Sequence, residues 1–93
     1  KPACVFSSSG SMHGGQESTL LTMLPPLFHH GMMILGLTNG HPSLSNTKTG
    51  GTPYGATHVS GPRHDQGMSQ DEKMLCVEQG KRLGDVVKKL QAS

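Results

Sequence analysis

The order of apolar and polar positions predicts two strands joined by a helix in the first 37 residues. Ala3–Ser7 is a short apolar run ending in serines, and continuous rather than alternating hydrophobicity favours a strand buried on both faces. From Glu17 to His30, leucine and phenylalanine recur at helical spacing. Gly31 follows where a left-handed helix C-cap is favoured. Met32–Leu37 is a second apolar run and predicts a second buried strand.

Two adjacent prolines interrupt the predicted helix. Because a proline inside a helix removes a hydrogen bond and clashes with the preceding turn, we expect a kink or break near Met23–Leu24, with Pro26 opening a second helical piece. Strand, helix and strand then form a βαβ unit with parallel strands. An isolated pair of strands is marginally stable. Further strands are therefore expected from a portion outside this chain or from a partner chain.

The second half of the chain predicts a loop and one helix. Residues 38–68 carry successive Gly, Pro and Asn turn signals and no convincing element, and such long loops are usually functional or disordered. Ser69–Glu72 matches a capping box that starts a helix over 69–91. Gly80 and Gly84 would let that helix lie close to a sheet. Its predicted inner face consists of Cys76, Gly80, Leu83, Val87 and Leu90.

Composition restricts the chain to one domain with a small core. Its 93 residues are 32% hydrophobic and 3% aromatic, and a chain of this length buries about 60–65% of its unfolded surface. The net charge is only +2, without a basic stripe interleaved with aromatics, which argues against a nucleic-acid partner. Cys4 and Cys76 lie in apolar segments, so buried reduced thiols in a cytoplasmic protein are favoured over a disulfide.

Targeting signals are not visible in the sequence. The longest apolar run, Met32–Leu37, is too short to span a bilayer, and the N-terminus has no signal-peptide pattern. The chain starts with Lys1-Pro2 directly before a strand. We therefore expect a piece of a longer cytoplasmic protein that does not span a membrane.

The Gly/Ser-rich loop Ser7–Gln16 is the strongest candidate for a ligand site. It leaves a predicted strand and enters a helix, which is where open α/β sheets bind ligands. It matches neither the P-loop nor G-x-G-x-x-G and carries no lysine for a phosphate. A planar heterocycle would suit its glycines and hydroxyls better than a triphosphate. A flexible strand-to-helix turn remains the plain alternative.

The six histidines do not predict a metal site. His29 and His30 are adjacent, so on a helix they diverge by about 100°, and no cluster has zinc-type spacing. The serine-hydrolase pattern G-x-S-x-G is absent as well. His29 could simply be a helix C-terminal residue that favours the dipole.

Four segments together carry a resemblance to a known family, and they occur in order along nearly the whole chain. They are Val5–Gly10, His13–Glu17, His29–Met32 and Gly50–Ala56. With them the chain resembles the C-terminal half of WrbA-type proteins, which are flavodoxin-like NAD(P)H:quinone oxidoreductases first named as tryptophan-repressor-binding proteins. The resemblance implies an α/β fold, a doubly wound five-stranded parallel sheet that binds FMN and assembles as a tetramer.

The resemblance also implies how the chain divides. It would hold the last two strands of a single flavodoxin-like domain with their helices. Residues 1–37 would be a βαβ unit with Ala3–Ser8 as the fourth strand, and Met32–Leu37 would begin the fifth. Residues 38–68 would be an insertion loop after that strand, with Gly50–Ala56 near subunit contacts and the pocket mouth, and 69–91 the final helix.

By the same resemblance, one loop and one histidine form the site. His29 would lie at the rim of the flavin pocket as the catalytic residue, where the quinone stacks. The resemblance implies two-electron reduction of quinones with NADH or NADPH as co-substrate. Because the phosphate-binding loop is not in this chain, the 93 residues alone are expected to be inactive. An electron-carrier flavodoxin and a non-enzymatic partner-binding flavoprotein are the alternatives. The residues expected to border the flavin ring are Ser8, Ser9, Gly10, Ser11, Met12, His13 and Gly14.

Overall fold

Four strands and three helices make up the part of the chain described by the computed structural model, which covers residues 1–38 and 40–92. The elements in chain order are β1 (Pro2–Ala3), β2 (Phe6–Ser9), α1 (Gln16–His29), β3 (Met33–Ile34), α2 (Pro42–Asn46), β4 (Ala56–Val59) and α3 (Gln70–Ala92). All strand pairs within the two sheets are parallel. The predicted α/β class with parallel strands is confirmed.

One stretch of chain, Pro2–Ser9, pairs with two separate strands. β1 pairs with β3 in the register Pro2↔Met33, and β2 pairs with β4 in the register Ser9↔Val59. The second strand of the βαβ unit is thus split. It begins as β3, leaves the sheet, and is completed by β4 some twenty residues later.

The expectation that residues 38–68 contain no element is wrong, because α2 and β4 both lie there. α2 starts with Pro42 in its first turn, where a missing N–H is harmless. The His41 Nδ1 accepts a hydrogen bond from the Ser43 N–H at 3.1 Å. β4 is buried at three of its four positions. The chain therefore supplies from within itself one of the strands that were expected from elsewhere.

α1 runs without a break through Pro25 and Pro26, so the expected break near Met23–Leu24 and the second helical piece from Pro26 are absent. Both prolines are exposed, and water can solvate the carbonyls that they leave unpaired. The predicted cap at Gly31 is confirmed, with φ at 72°. The Gly31 N–H donates to the Phe28 carbonyl at 2.9 Å and the Met32 N–H to the Leu27 carbonyl at 3.1 Å, which together form a Schellman motif.

α3 begins with the predicted capping box but turns a different face inward. The Ser69 N–H donates to Glu72 Oε1 at 2.8 Å, and the Glu72 N–H donates to Ser69 Oγ at 3.1 Å. The buried positions are Glu72, Leu75 and Gln79, whereas Cys76 is exposed. A Cβ added at position 80 or at position 84 would meet nothing within 4 Å. The close approach predicted for those two glycines is therefore wrong.

The core is small and contains nearly as many polar as apolar side chains. Its cluster of Leu37, Ala56 and Leu75 is packed against Leu44. Every buried side-chain nitrogen and oxygen among the described residues has a hydrogen-bond partner. Both cysteines are free. No helix in the described parts of the chain combines the length and hydrophobicity needed to cross a membrane. The buried apolar residues are Val5, Leu20, Leu35, Leu37, Ala56, Val59 and Leu75, and the buried polar ones are Gln16, Ser43, Thr52, Thr57, Glu72 and Gln79.

Candidate functional site

The Gly/Ser-rich loop lies at the carboxyl end of β2, as predicted. Ser8 and Ser9 are the last residues of the strand, and Gly15 is the N-cap of α1, with a left-handed φ of 99° that favours glycine. Ser9 Oγ donates to the Ser11 carbonyl at 2.7 Å, and the Gly14 N–H donates to the same carbonyl at 3.3 Å. The tip of the loop is exposed. Residues 8 to 14 therefore form one continuous surface at the strand end.

A series of buried hydrogen bonds connects the tip of this loop to β4. The Gly51 N–H donates to Thr57 Oγ1 at 2.7 Å, the Thr57 hydroxyl donates to Gln16 Oε1 at 2.6 Å, and Gln16 Nε2 donates to the Met12 carbonyl at 2.6 Å. Both Gln16 and Thr57 are buried. Because each donor in this series has a defined acceptor, the hydrogen bonds hold the Met12 carbonyl toward the protein interior.

A second contact holds the beginning of the loop. Ser60 follows β4 directly, and its N–H and its hydroxyl both lie within hydrogen-bond distance of the Ser9 carbonyl, at 2.9 and 3.2 Å. Since the described residues contain no cis peptide bond, the next N–H along the chain points away from each fixed carbonyl. The Gly10 and His13 N–H groups have no acceptor among the described residues. The loop therefore presents backbone donors on the side away from β4.

His29 is not brought together with the loop. The loop enters α1 at Gln16, whereas His29 is the last residue of that helix. Thirteen residues at 1.5 Å each separate the two ends by roughly 20 Å along the axis. His29 is exposed, but within one chain it does not face the pocket that residues 8–14 would line.

Glu72 is the centre of a cluster of hydrogen bonds that includes the N–H of Val59, the last residue of β4. Burial alone would raise the pKa of this carboxyl group. Hydrogen bonds from the Ser69 and Val59 N–H groups, from His58 and from the Gly50 N–H outweigh burial and lower its pKa from 4.5 to about 2. The His58 Nδ1 lies 3.1 Å from Glu72 Oε1. Glu72 is 1% exposed, so this cluster stabilises the interior and does not form a reactive surface.

The segment Gly50–Ala56 is partly interior, with Pro53 and Tyr54 exposed at its turn. Gly50, Thr52 and Gly55 are buried. A Cβ at position 50 would overlap the Thr57 carbonyl, and one at position 55 would overlap the Val5 carbonyl. The glycines of this motif are thus needed because backbone segments pass too close for any side chain. Its expected place near subunit contacts stays a prediction.

The donor set of the loop suits a neutral ring edge rather than a metal or a phosphate. Hydroxyl groups and backbone N–H groups dominate residues 8–14, and the segment contains no lysine or arginine. Within the described residues, no three His, Cys, Asp or Glu side chains gather as ligands for a metal ion.

Several curated proteins are similar to this chain and carry the same name. The chain is 40% identical over 95 aligned residues to a protein of Solidesulfovibrio magneticus named NAD(P)H dehydrogenase (quinone), with 99% of the chain covered. Proteins of the same name from Methanosarcina barkeri and Methanosarcina mazei are 40% and 39% identical, each over 97% of the chain. The chain is therefore similar to proteins of this name over nearly its whole length. No family model matches it.

The chain spans about half the length of the curated relatives it matches, 44–46% of each. This share agrees with the resemblance to one half of a WrbA-type protein. The sequence indicates the loop but not the side chains that shape it. Gln16 lies in the segment His13–Glu17, where no pattern gives it a role, and Thr57 and Ser60 lie in the stretch predicted to contain no element.

Proposed function

We propose that the protein to which this chain belongs reduces quinones to hydroquinones with NADH or NADPH through bound FMN, and that residues 8–14 form one wall of the flavin-ring pocket. The observation that carries the proposal is the loop itself, a donor-lined surface at the carboxyl end of β2 held in shape from two sides. The names of the relatives support the reaction class. A tetramer is part of the same proposal.

The residues present fit the edge of a flavin ring. The Gly10 and His13 N–H groups are donors without acceptors in the described chain, and the ring of FMN carries carbonyl oxygens and ring nitrogens. The loop offers no cation, so the phosphate of FMN would be held by residues outside these 93. The chain alone is therefore expected to bind FMN weakly and to turn over no quinone.

The cofactor and the chain have separate tasks in this proposal. When bound, FMN supplies the hydride chemistry between nicotinamide and quinone. The chain binds and orients, and its loop N–H groups stabilise negative charge that develops at the ring edge. Removing one such donor commonly costs about 3 kcal/mol when the charge is formed in a dry site.

His29 can act at such a pocket only from a neighbouring subunit. Its place at the far end of α1, roughly 20 Å from the loop along the axis, separates it from the loop of its own chain. In the proposed tetramer, His29 of one subunit would reach the pocket of another, donate a hydrogen bond to a quinone oxygen and help to protonate it.

The loop is tested in a full-length protein containing these residues. His13→Pro removes the backbone N–H together with the imidazole, whereas His13→Ala removes only the imidazole. We expect FMN affinity, measured by fluorescence titration, to fall clearly in the proline variant and little in the alanine variant. Equal affinity in both variants would contradict the role given to the N–H. A wild-type protein that binds no FMN would overturn the proposal as a whole.

The role of His29 has its own matched control in the next residue. His29→Ala should slow quinone-dependent oxidation of NAD(P)H while FMN stays bound, and His30→Ala should not. Both side chains are exposed at the same helix end, so a shared effect on folding would appear in both variants. Unchanged quinone kinetics in His29→Ala would remove the role assigned to it.

A further inference from the structure

A tight turn after β4 places His64 beside the candidate loop. His64 has a φ of 55°, and among the described residues it is the non-glycine residue with a positive φ. The left-handed region is uncommon for side chains other than Asn, Asp, His and Gly. The turn is closed by the His64 N–H, which donates to the Gly61 carbonyl at 3.0 Å. Because residues in strained conformations cluster at functional sites, the contacts of the His64 imidazole are relevant to function.

The imidazole packs on the backbone of Gly10. A Cβ built on Gly10 would lie 3.0 Å from His64 Cε1, tighter than ordinary contact. Gly10 stands in the centre of the loop that follows β2. The His64 imidazole can therefore lie this close to residue 10 because that residue has no side chain.

The hydrogen bonds around Ser60 connect the His64 imidazole to Ser9. Ser60 Oγ lies 3.2 Å from the Ser9 carbonyl and 3.2 Å from His64 Nδ1. A carbonyl only accepts, so when the Ser60 hydroxyl donates to Ser9 it accepts from His64, and Nδ1 then carries the hydrogen. Ser60 and His64 are hydrogen-bond partners in either tautomer.

We propose that His64 is a positioning residue of the candidate site, which holds the Ser9–Gly10 backbone through Ser60. The identification of the ligand at this site as a flavin rests on the function proposed above. Through the chain His64–Ser60–Ser9, the imidazole fixes the peptide whose N–H belongs to Gly10. The side chain thus acts on the same donor that the proposed pocket uses.

Two substitutions at position 64 distinguish the effect of the side chain from the effect of the left-handed backbone conformation. His64→Gly relieves the left-handed conformation but removes the donor to Ser60. His64→Asn tolerates that conformation and keeps an N–H donor on a short side chain. If the residue only shapes a turn, His64→Gly should equal or exceed the wild type in every measurement. If it positions the loop, His64→Asn should rescue what His64→Gly loses.

The test uses a full-length protein containing these residues and two measurements. Amide hydrogen exchange of Ser60, whose N–H donates to the Ser9 carbonyl, is followed without ligand, and FMN affinity is measured by fluorescence titration. We expect His64→Gly to speed exchange of this amide roughly five- to tenfold, the effect of losing one hydrogen bond, and to weaken FMN by a similar factor. His64→Asn should stay near the wild type in both measurements.

The two measurements distinguish the possible failures. Wild-type exchange rates in His64→Gly would overturn the positioning role. Equal loss in His64→Gly and His64→Asn would overturn it too, because the donor would then be irrelevant. If exchange depends on His64 but the wild-type protein binds no FMN, the positioning role stands and the proposed function fails.

Discussion

Replacing Glu72 by Gln should remove one of the strongest stabilising interactions in the chain. The carboxylate accepts the Gly50 and Val59 N–H groups on Oε2, and the Ser69 N–H and His58 on Oε1. An amide offers one oxygen and one NH₂ group. With the NH₂ at the Oε2 position it faces the Gly50 and Val59 N–H groups. With the NH₂ at the Oε1 position it faces the Ser69 N–H but can donate to a neutral His58, so one or two hydrogen bonds to a charged group are lost.

Two independent routes give the size of the loss. Hydrogen bonds to charged groups contribute about 1.5–3 kcal/mol each, so losing one or two costs about 1.5–6 kcal/mol. The lowering of the Glu72 pKa from 4.5 to about 2 corresponds to about 3 kcal/mol at 1.36 kcal/mol per unit. We expect Glu72→Gln to lower the free energy of unfolding by about 3 kcal/mol at neutral pH.

The same interaction predicts a pH dependence with a definite sign. Because the folded-state pKa of Glu72 lies below the unfolded value, the stabilisation is complete above pH 4.5 and is lost as the pH falls toward about 2. A protonated carboxyl group resembles the amide, so wild type and Glu72→Gln should converge in acid.

Urea denaturation at neutral and acidic pH measures both effects. Glu78→Gln on the same helix is the control, because Glu78 lies outside the cluster. A difference between wild type and Glu72→Gln below about 0.5 kcal/mol at pH 7, the range of ordinary surface substitutions, would refute the reasoning. So would a difference that stays constant as the pH is lowered.

Two further predictions concern backbone contacts and the strand junction, and urea denaturation measures both. Gly55→Ala should lower the free energy of unfolding by about 1–3 kcal/mol or more, because its Cβ would overlap the Val5 carbonyl. Gly84→Ala should raise it by about 0.5–1 kcal/mol on an open part of α3; effects of equal sign would contradict the contact geometry. Gln79→Leu should lower it by about 2–6 kcal/mol, because the Ala56 N–H and the Val5 carbonyl both lose their partner. Gln91→Leu on the exposed end of α3 is its control, and equal stability of the two variants would contradict the role of Gln79.

Local signals in the sequence were sufficient for the elements that depend on local interactions. The Schellman end at Gly31 and the capping box at Ser69 and Glu72 are made by residues a few positions apart, and the sequence shows both. The parallel pairing of β1 with β3 follows from the βαβ order. The continuity of α1 through Pro25 and Pro26 was not predictable in this way, because it depends on the exposure of that helix side.

Elements that depend on distant polar partners were missed. β4 is short, follows several turn signals and contains Thr57 and His58, so hydrophobic periodicity does not reveal it. The inner face of α3 was misplaced for the same reason. Two of its buried residues, Glu72 and Gln79, are polar, and a search for apolar spacing selects the neighbouring face instead. Their burial is explained by backbone groups more than ten residues away.

The split strand explains why these polar residues are buried. Where the pairing of Pro2–Ser9 passes from β3 to β4, ladder hydrogen bonds are interrupted, and buried backbone groups must find other partners. Gln79 supplies both partners at this junction, to the Val5 carbonyl and the Ala56 N–H. Polar side chains on the inner helix faces are therefore a requirement of the topology.

The same topology connects the stretch 38–68 to the candidate site. The chain leaves the sheet after β3 and returns at Ala56, where β4 begins. The residues that hold the loop carbonyls, Thr57 through Gln16 and Ser60 directly, lie in β4 or immediately after it. The shape of residues 8–14 thus depends on a segment that reads as a loop in the sequence. It follows that this segment is an internal part of the candidate site, whose donor-lined loop could not keep its form on β2 and α1 alone.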